Sequence, residues 1–127
     1  MSFDPSKAYN EDWRYLDFIE SVTWERPENG GVVTVPGFKA KWGSFETADF
    51  RSFAAGMALN GDESAVALWE PKPDDVDLAD WVPRFQPRND HVLRRESHGN
   101  QGWLIRGYTH SRFGYWVLAV VEEPTNG

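Results

Sequence analysis

The sequence predicts a mainly β protein: a small closed or partly open barrel of five to six antiparallel strands, with one short helix or long loop inserted. Three observations point there. Seven Trp, eight Phe and four Tyr make up 15% of the chain, and such side chains suit a pleated, half-buried surface better than a narrow helix stripe. The apolar segments are short and alternate with polar residues, which is the period of a strand with one buried face. Clusters of Gly, Asn and Pro separate these segments at the close spacing of a barrel or sandwich. At 127 residues the chain is one domain in size, enough to bury a core without metals or crosslinks.

Residues 1–12 are polar and carry a Pro, which predicts a frayed arm that a partner would have to order. The barrel domain is then expected over 13–122, with a short tail at 123–127. Between Trp13 and Ile19 the apolar spacing fits either a helical turn or an extended lead-in. Residues 21–26 alternate and stop at Pro27, and Glu28-Asn29-Gly30-Gly31 supplies residues that tolerate positive φ. That combination predicts a β-hairpin. Its return strand is 32–42, with Phe38, Ala40 and Trp42 on one face and Lys39 and Lys41 on the other. Pro36-Gly37 should bend or bulge it.

Phe50, Phe53, Ala54 and Met57 follow at i, i+3, i+4 and i+7, the stripe of an amphipathic helix or helical loop within 44–59. Gly56 and Asn60-Gly61 limit its length. Residues 63–70 are a compact apolar run of strand length. Pro71, Pro73, Pro83 and Pro87 then punctuate a long surface connection made acidic by Asp74, Asp75, Asp77 and Asp80, with one helical turn expected near 78–81. Beyond Pro87 the pattern is strand (91–96), turn (97–102), strand (103–109), turn (110–114), strand (115–121). The last strand is apolar on both alternations, so it should be central and buried on both faces.

No cysteine is present, which excludes disulfides, thiolate metal sites and a Cys nucleophile. His91, His98 and His110 lack metal-ligand spacing, so they read as surface or structural. The Asp run at 74–80 lacks the glycine and closing glutamate of a Ca²⁺ loop. There is no phosphate loop or nucleophile elbow, and Ser44, Ser52 and Ser111 have no base placed nearby. Neither enzymatic activity nor a cofactor is therefore expected. No apolar run approaches the roughly 20 residues of a membrane span, and the first residues do not resemble a signal peptide; synthesis in the cytosol and no membrane partner are expected.

The net charge of −7 is unevenly spread. Residues 1–30 hold seven acids against Lys7, Arg14 and Arg26, a local net charge of −4. Residues 84–112 hold Arg84, Arg88, Arg94, Arg95, Arg106 and Arg112 against only Asp90 and Glu96, a local net charge of +4. Arginine without lysine favours planar, hydrogen-bonded contact with carboxylates or phosphates. Three uses are open: nucleic acid with Trp103, Tyr108 and Tyr115 stacking, head-to-tail contact between copies, or pairing within one molecule. Stacking of the same rings on a carbohydrate belongs with the first. Trp24, Trp42, Trp69, Trp103 and Trp116 fall in strands, leaving Trp13 and Trp81 as the rings to face a partner.

The order of segments resembles something known. Residues 15–24 (Tyr-Leu-Asp-Phe-Ile-Glu-Ser-Val-Thr-Trp) and Ala65-Val66-Ala67-Leu68-Trp69 are followed by Pro87-Arg88-Asn89-Asp90-His91-Val92 and then Gly102-Trp103-Leu104-Ile105. This succession resembles the small head–tail connector proteins of tailed bacteriophages, of the head-closure or stopper type, over roughly residues 13–121. In that family a Pro-x-x-Gly-Asp-x-Val turn precedes a Gly-x-x-Trp-x-Val strand and a closing strand. Here Asn89 stands where the family has Gly, and Asn is the commonest non-glycine residue in left-handed geometry; Gly102 directly precedes Trp103. The resemblance implies a structural virion protein forming a homo-oligomeric ring between portal or adaptor and tail proteins, made in the host bacterial cytoplasm. It implies that 43–62 or 70–88 is a gating loop, whose Asp74, Asp75, Asp77 and Asp80 let DNA pass without specific binding. The arginines of 84–112 would then meet neighbouring subunits.

Overall fold

The computed structural model describes residues 19–111 and 114–124. Six strands, β1 (Ile19–Glu28), β2 (Gly31–Gly43), β3 (Ser64–Trp69), β4 (Val92–Arg95), β5 (Gln101–His110) and β6 (Trp116–Glu122), close into one antiparallel barrel in the order β1-β2-β3-β6-β5-β4. One helix, α1 (Ala48–Ala54), interrupts them, with single 3-10 turns at Leu78–Asp80 and Glu96–His98. The expected elements therefore form where the alternation and turn residues place them. The arm at 1–12, the lead-in at 13–18, Arg112 and the last three residues of the tail lie outside the described residues.

Local chemistry explains the strand connections. Asn29 and Gly30 both have positive φ (49° and 80°), as a two-residue type I′ turn requires to match the strand twist. Pro36 and Gly37 form the expected bulge, since the register jumps from Val22↔Phe38 to Trp24↔Val35, and Gly37 takes a φ of 96°. Asn89 does not adopt the left-handed geometry expected of it; that role falls to Asn29 and Asn100. The Arg88–His91 turn instead closes through the His91 amide donating to the Arg88 carbonyl.

The alternation of each strand divides the apolar residues between two clusters. Inside the barrel lie Val22, Trp24, Phe38, Ala40, Val66, Leu68, Leu93, Ile105, Leu118 and Val120, joined by Phe85 from the long connection. Outside, Ala65, Ala67, Trp69 and Val117 pack under Phe50 of α1, flanked by Ile19, Phe45, Phe53, Met57 and Tyr115. Residues 117–120 are consequently buried on both faces, as their unbroken apolar run requires. Gly43 lets this helix approach: a Cβ there would lie 2.6 Å from the Phe50 ring. The 43–62 insertion is thus a packed flap on the β3–β6 wall, and its stripe residues are held by burial.

Three strands outrun the closed wall at one mouth. β2 meets β3 only from Lys39 to Gly43, and β4 meets β1 only from Val22 to Glu25, so the β1–β2 hairpin continues beyond both as a two-stranded ribbon. β5 likewise pairs with β6 as far as His110 but with β4 only through Leu104.

Candidate functional site

The mouth carrying the β1–β2 turn is capped by the 70–91 connection. Glu70, at the end of the buried β3 run, is 5% exposed. Its Oε1 accepts the backbone N–H groups of Arg84 (2.8 Å) and Phe85 (2.9 Å), and its Oε2 accepts from Arg84 Nε at 2.6 Å. Lys72, also buried, donates to the carbonyls of Pro73 and Val76. With the backbone so held, Phe85 enters the barrel, its ring centroid 4.9 Å from Trp24, 5.5 Å from Phe38 and 6.1 Å from Trp116. Both ends of the connection are pinned, while Asp74, Asp75, Asp77 and Asp80 between them are all exposed. They form an acidic rim.

Beneath that cap the buried His91 accepts a hydrogen bond at Nδ1 from Trp24 Nε1–H (3.0 Å). The neutral ring must therefore carry its proton on Nε2. Burial holds the His91 pKa below the ordinary imidazole range, and the charges of Arg26 and Arg88 push the same way, with Asp90 opposing them. Arg26 stacks on Trp24, its Cζ 4.8 Å from the ring, and pairs with Glu28 at 3.3 Å. His98 is exposed and bonded to Ser97 Oγ (2.9 Å), and the exposed His110 lies against Trp116 at 4.6 Å. Among the described residues, no three side chains of metal-ligating type converge.

At the opposite mouth Arg95 is gripped by Glu20 through two bonds of 2.9 and 2.5 Å. Its guanidinium lies 4.3 Å over Trp42, which in turn packs against Trp103 at 5.2 Å. Gln101 reaches across to Glu122 (2.6 Å). On the outer wall Arg94 makes a forked contact with Glu25 (2.8 and 3.1 Å) and lies 3.5 Å from Glu123. Gly102 makes room for that bridge, since a Cβ would collide with the Glu123 carboxylate and come within 3.0 Å of Arg94. The hydrogen bond from Arg94 outweighs burial and holds the Glu25 pKa below the usual carboxylate range, while the same bond raises that of Arg94.

These contacts decide where the arginines point. Arg84, Arg94 and Arg95 satisfy Glu70, Glu25 and Glu20 of their own chain, so much of the acidic-to-basic asymmetry along the sequence is matched internally. Arg88 and Arg106 are exposed and form no ion pair among the described residues. Arg112 and Trp13 fall outside the described residues, and Trp81 is half-buried. The rings expected to stack on bases or sugars do not share a surface. Trp103 sits at one mouth, Tyr108 near Trp116 at the other, and Tyr115 beside Trp69 under the flap. Sequence reasoning missed Glu70, whose only signal is a carboxylate ending a run of apolar residues.

The fold and its mouths define a class: a closed six-stranded antiparallel β-barrel, capped at one end by an acid-rimmed loop. The chain matches no protein-family model, no curated protein and no solved structure. Among the described residues, no helix is long and apolar enough to cross a membrane.

Proposed function

We propose that this protein is a structural component of a tailed-phage virion, a ring-forming head–tail connector of the head-closure type, acting by assembly rather than catalysis. The observation that carries the reading is the barrel wall β4-β5-β6. The residues resembling the connector motif supply, in order, the Arg88–His91 turn that leads into β4, the Gly102-Trp103 start of β5 and the closing strand β6. The acidic rim supports it as well. Four exposed carboxylates within seven residues repel a DNA backbone and give it nothing to grip. The portal or adaptor, the tail and further copies of this chain are the partners.

Light scattering on the full chain over a rising concentration series, with electron microscopy of the products, tests this reading. Concentration-dependent rings and no salt-dependent affinity for oligonucleotides are expected. A species that stays monomeric at its solubility limit would count against it. Tight binding of oligonucleotide that weakens with salt would instead favour a nucleic-acid module, and ligand quenching of Trp fluorescence by sugars a carbohydrate module.

A further inference from the structure

Among the strands that outrun the wall, β2 and β5 leave free edges at the same mouth. The two-residue turn at Asn29-Gly30 closes on the pair Glu28↔Gly31, so residues 31, 33 and 35 bond across to β1. Val32 and Thr34 therefore direct their N–H and C=O groups away from it, past the point where β3 pairing stops. Pro27, opposite Val32, has no N–H to offer on the other side of the ribbon. On β5, the last backbone bond toward β4 is from the Ile105 amide to the His91 carbonyl. Along 106–110 that side makes no further backbone bond among the described residues. Natural proteins protect such edges with charge or pair them.

We propose that the β2 edge of one copy pairs with the β5 edge of the next, so that copies join head to tail. This rests on the assembly reading above and adds which surfaces meet. Three large apolar side chains are exposed among the described residues, and two of them mark these edges: Val32 (61%) on β2 and Tyr108 (42%) on β5. Charge selects the same surfaces. Residues 29–38 carry none, and residues 97–121 hold no acid, while the exposed Arg106 lacks an ion pair among the described residues. In a chain of net charge −7 these edge segments bring no carboxylate of their own into the contact. Val32, Val33, Thr34 and Val35 on one side and Tyr108 and Thr109 on the other suit a pleated pairing. Two different edges make a heterologous contact, which propagates and closes into a ring where the rotation allows.

The absence of cysteine makes the test clean. Val32→Cys, Tyr108→Cys and the double variant are oxidised under conditions where the unmodified chain assembles, with far-UV circular dichroism checking each fold. The double variant is expected to give a covalent ladder, an equimolar mixture of the single variants a dimer with one of each, and neither single variant alone a product. Crosslinking of Val32→Cys with itself would show a two-fold pairing of β2 edges and overturn the proposal. So would an assembled double variant without any crosslink, which leaves the assembly reading standing. An unmodified chain that never assembles removes both. Thr34→Pro, which deletes an outward N–H and no bond to β1, should weaken assembly by about tenfold or more at an unchanged melting temperature; unaltered assembly in this variant contradicts the proposal.

Discussion

Glu70 offers the sharpest test of how the capped mouth is built, because its two oxygens have separate tasks. Oε1 holds the backbone amides of Arg84 and Phe85, and Oε2 accepts from the Arg84 guanidinium. Glu70→Ala leaves both amides without an acceptor, the Phe85 amide at a buried site and the Arg84 amide at a part-buried one; the first costs about 1–3 kcal/mol and the second adds less. Glu70→Gln keeps an oxygen where Oε1 stands and surrenders the ion pair. The Arg84 side chain is 58% exposed, so solvent screens that pair and the loss is about 0–1 kcal/mol. Urea unfolding of both variants, with hydrogen exchange read at the Arg84 and Phe85 amides, measures the difference. The Ala variant should lose at least about 1 kcal/mol more than the Gln variant, a noticeable share of a small domain's stability, and its two amides should exchange faster. Equal losses in the two variants would refute the reasoning, because the charge and not the backbone acceptor would then be what holds the cap.

His91 should make stability depend on pH. An ordinary imidazole protonates near 6.5, and buried His91 does so only at lower pH. Between those values the unfolded chain binds a proton that the folded one does not, so stability falls as pH drops below 6.5 toward the folded value. His91→Gln keeps an acceptor for Trp24 and should flatten the change in urea midpoint between about pH 7.5 and about pH 5.5; an unchanged slope argues against His91 as its source. Gly43→Ala should cost about 1–3 kcal/mol through the Phe50 ring, with Phe50→Leu in the same chain recovering part of the loss. A double-mutant cycle on Glu25 and Arg94, both partly exposed, should give a coupling of about 0.5–1 kcal/mol at neutral pH. Because the folded Glu25 pKa is lowered, that coupling should fade as pH falls from the ordinary carboxylate value through the folded one; a coupling constant with pH would contradict the assignment.

Much of the barrel was legible in the chain. Asn29-Gly30, the bulge at Pro36-Gly37, the helix stripe at Phe50, Phe53 and Ala54 and the doubly apolar 117–120 all came out as elements of the expected kind, while Met57, expected on the same stripe, lies just beyond the end of the helix. The candidate site was legible only as composition. The arginines of 84–112 stand out as a group in sequence, yet three of them turn to carboxylates of the same chain. The acidic connection is visible, but nothing in its sequence shows Phe85 as part of the core or Glu70 as its anchor.

The division follows the range of the interactions. Strand alternation, turn geometry and helix periodicity depend on neighbours within a few residues, and each residue carries that information itself. Pairings such as Glu25 with Arg94, 69 positions apart, or Trp24 with His91, 67 apart, exist only once β4 closes the barrel against β1. That closure decides which charges are matched within the molecule. It also decides which edges are left over, because the strands differ in length: β4 stops at four residues beside the ten of β1 and of β5. The unpaired backbone at Val32, Thr34 and 106–110 is a property of the assembled barrel, and no residue pattern along the chain announces it.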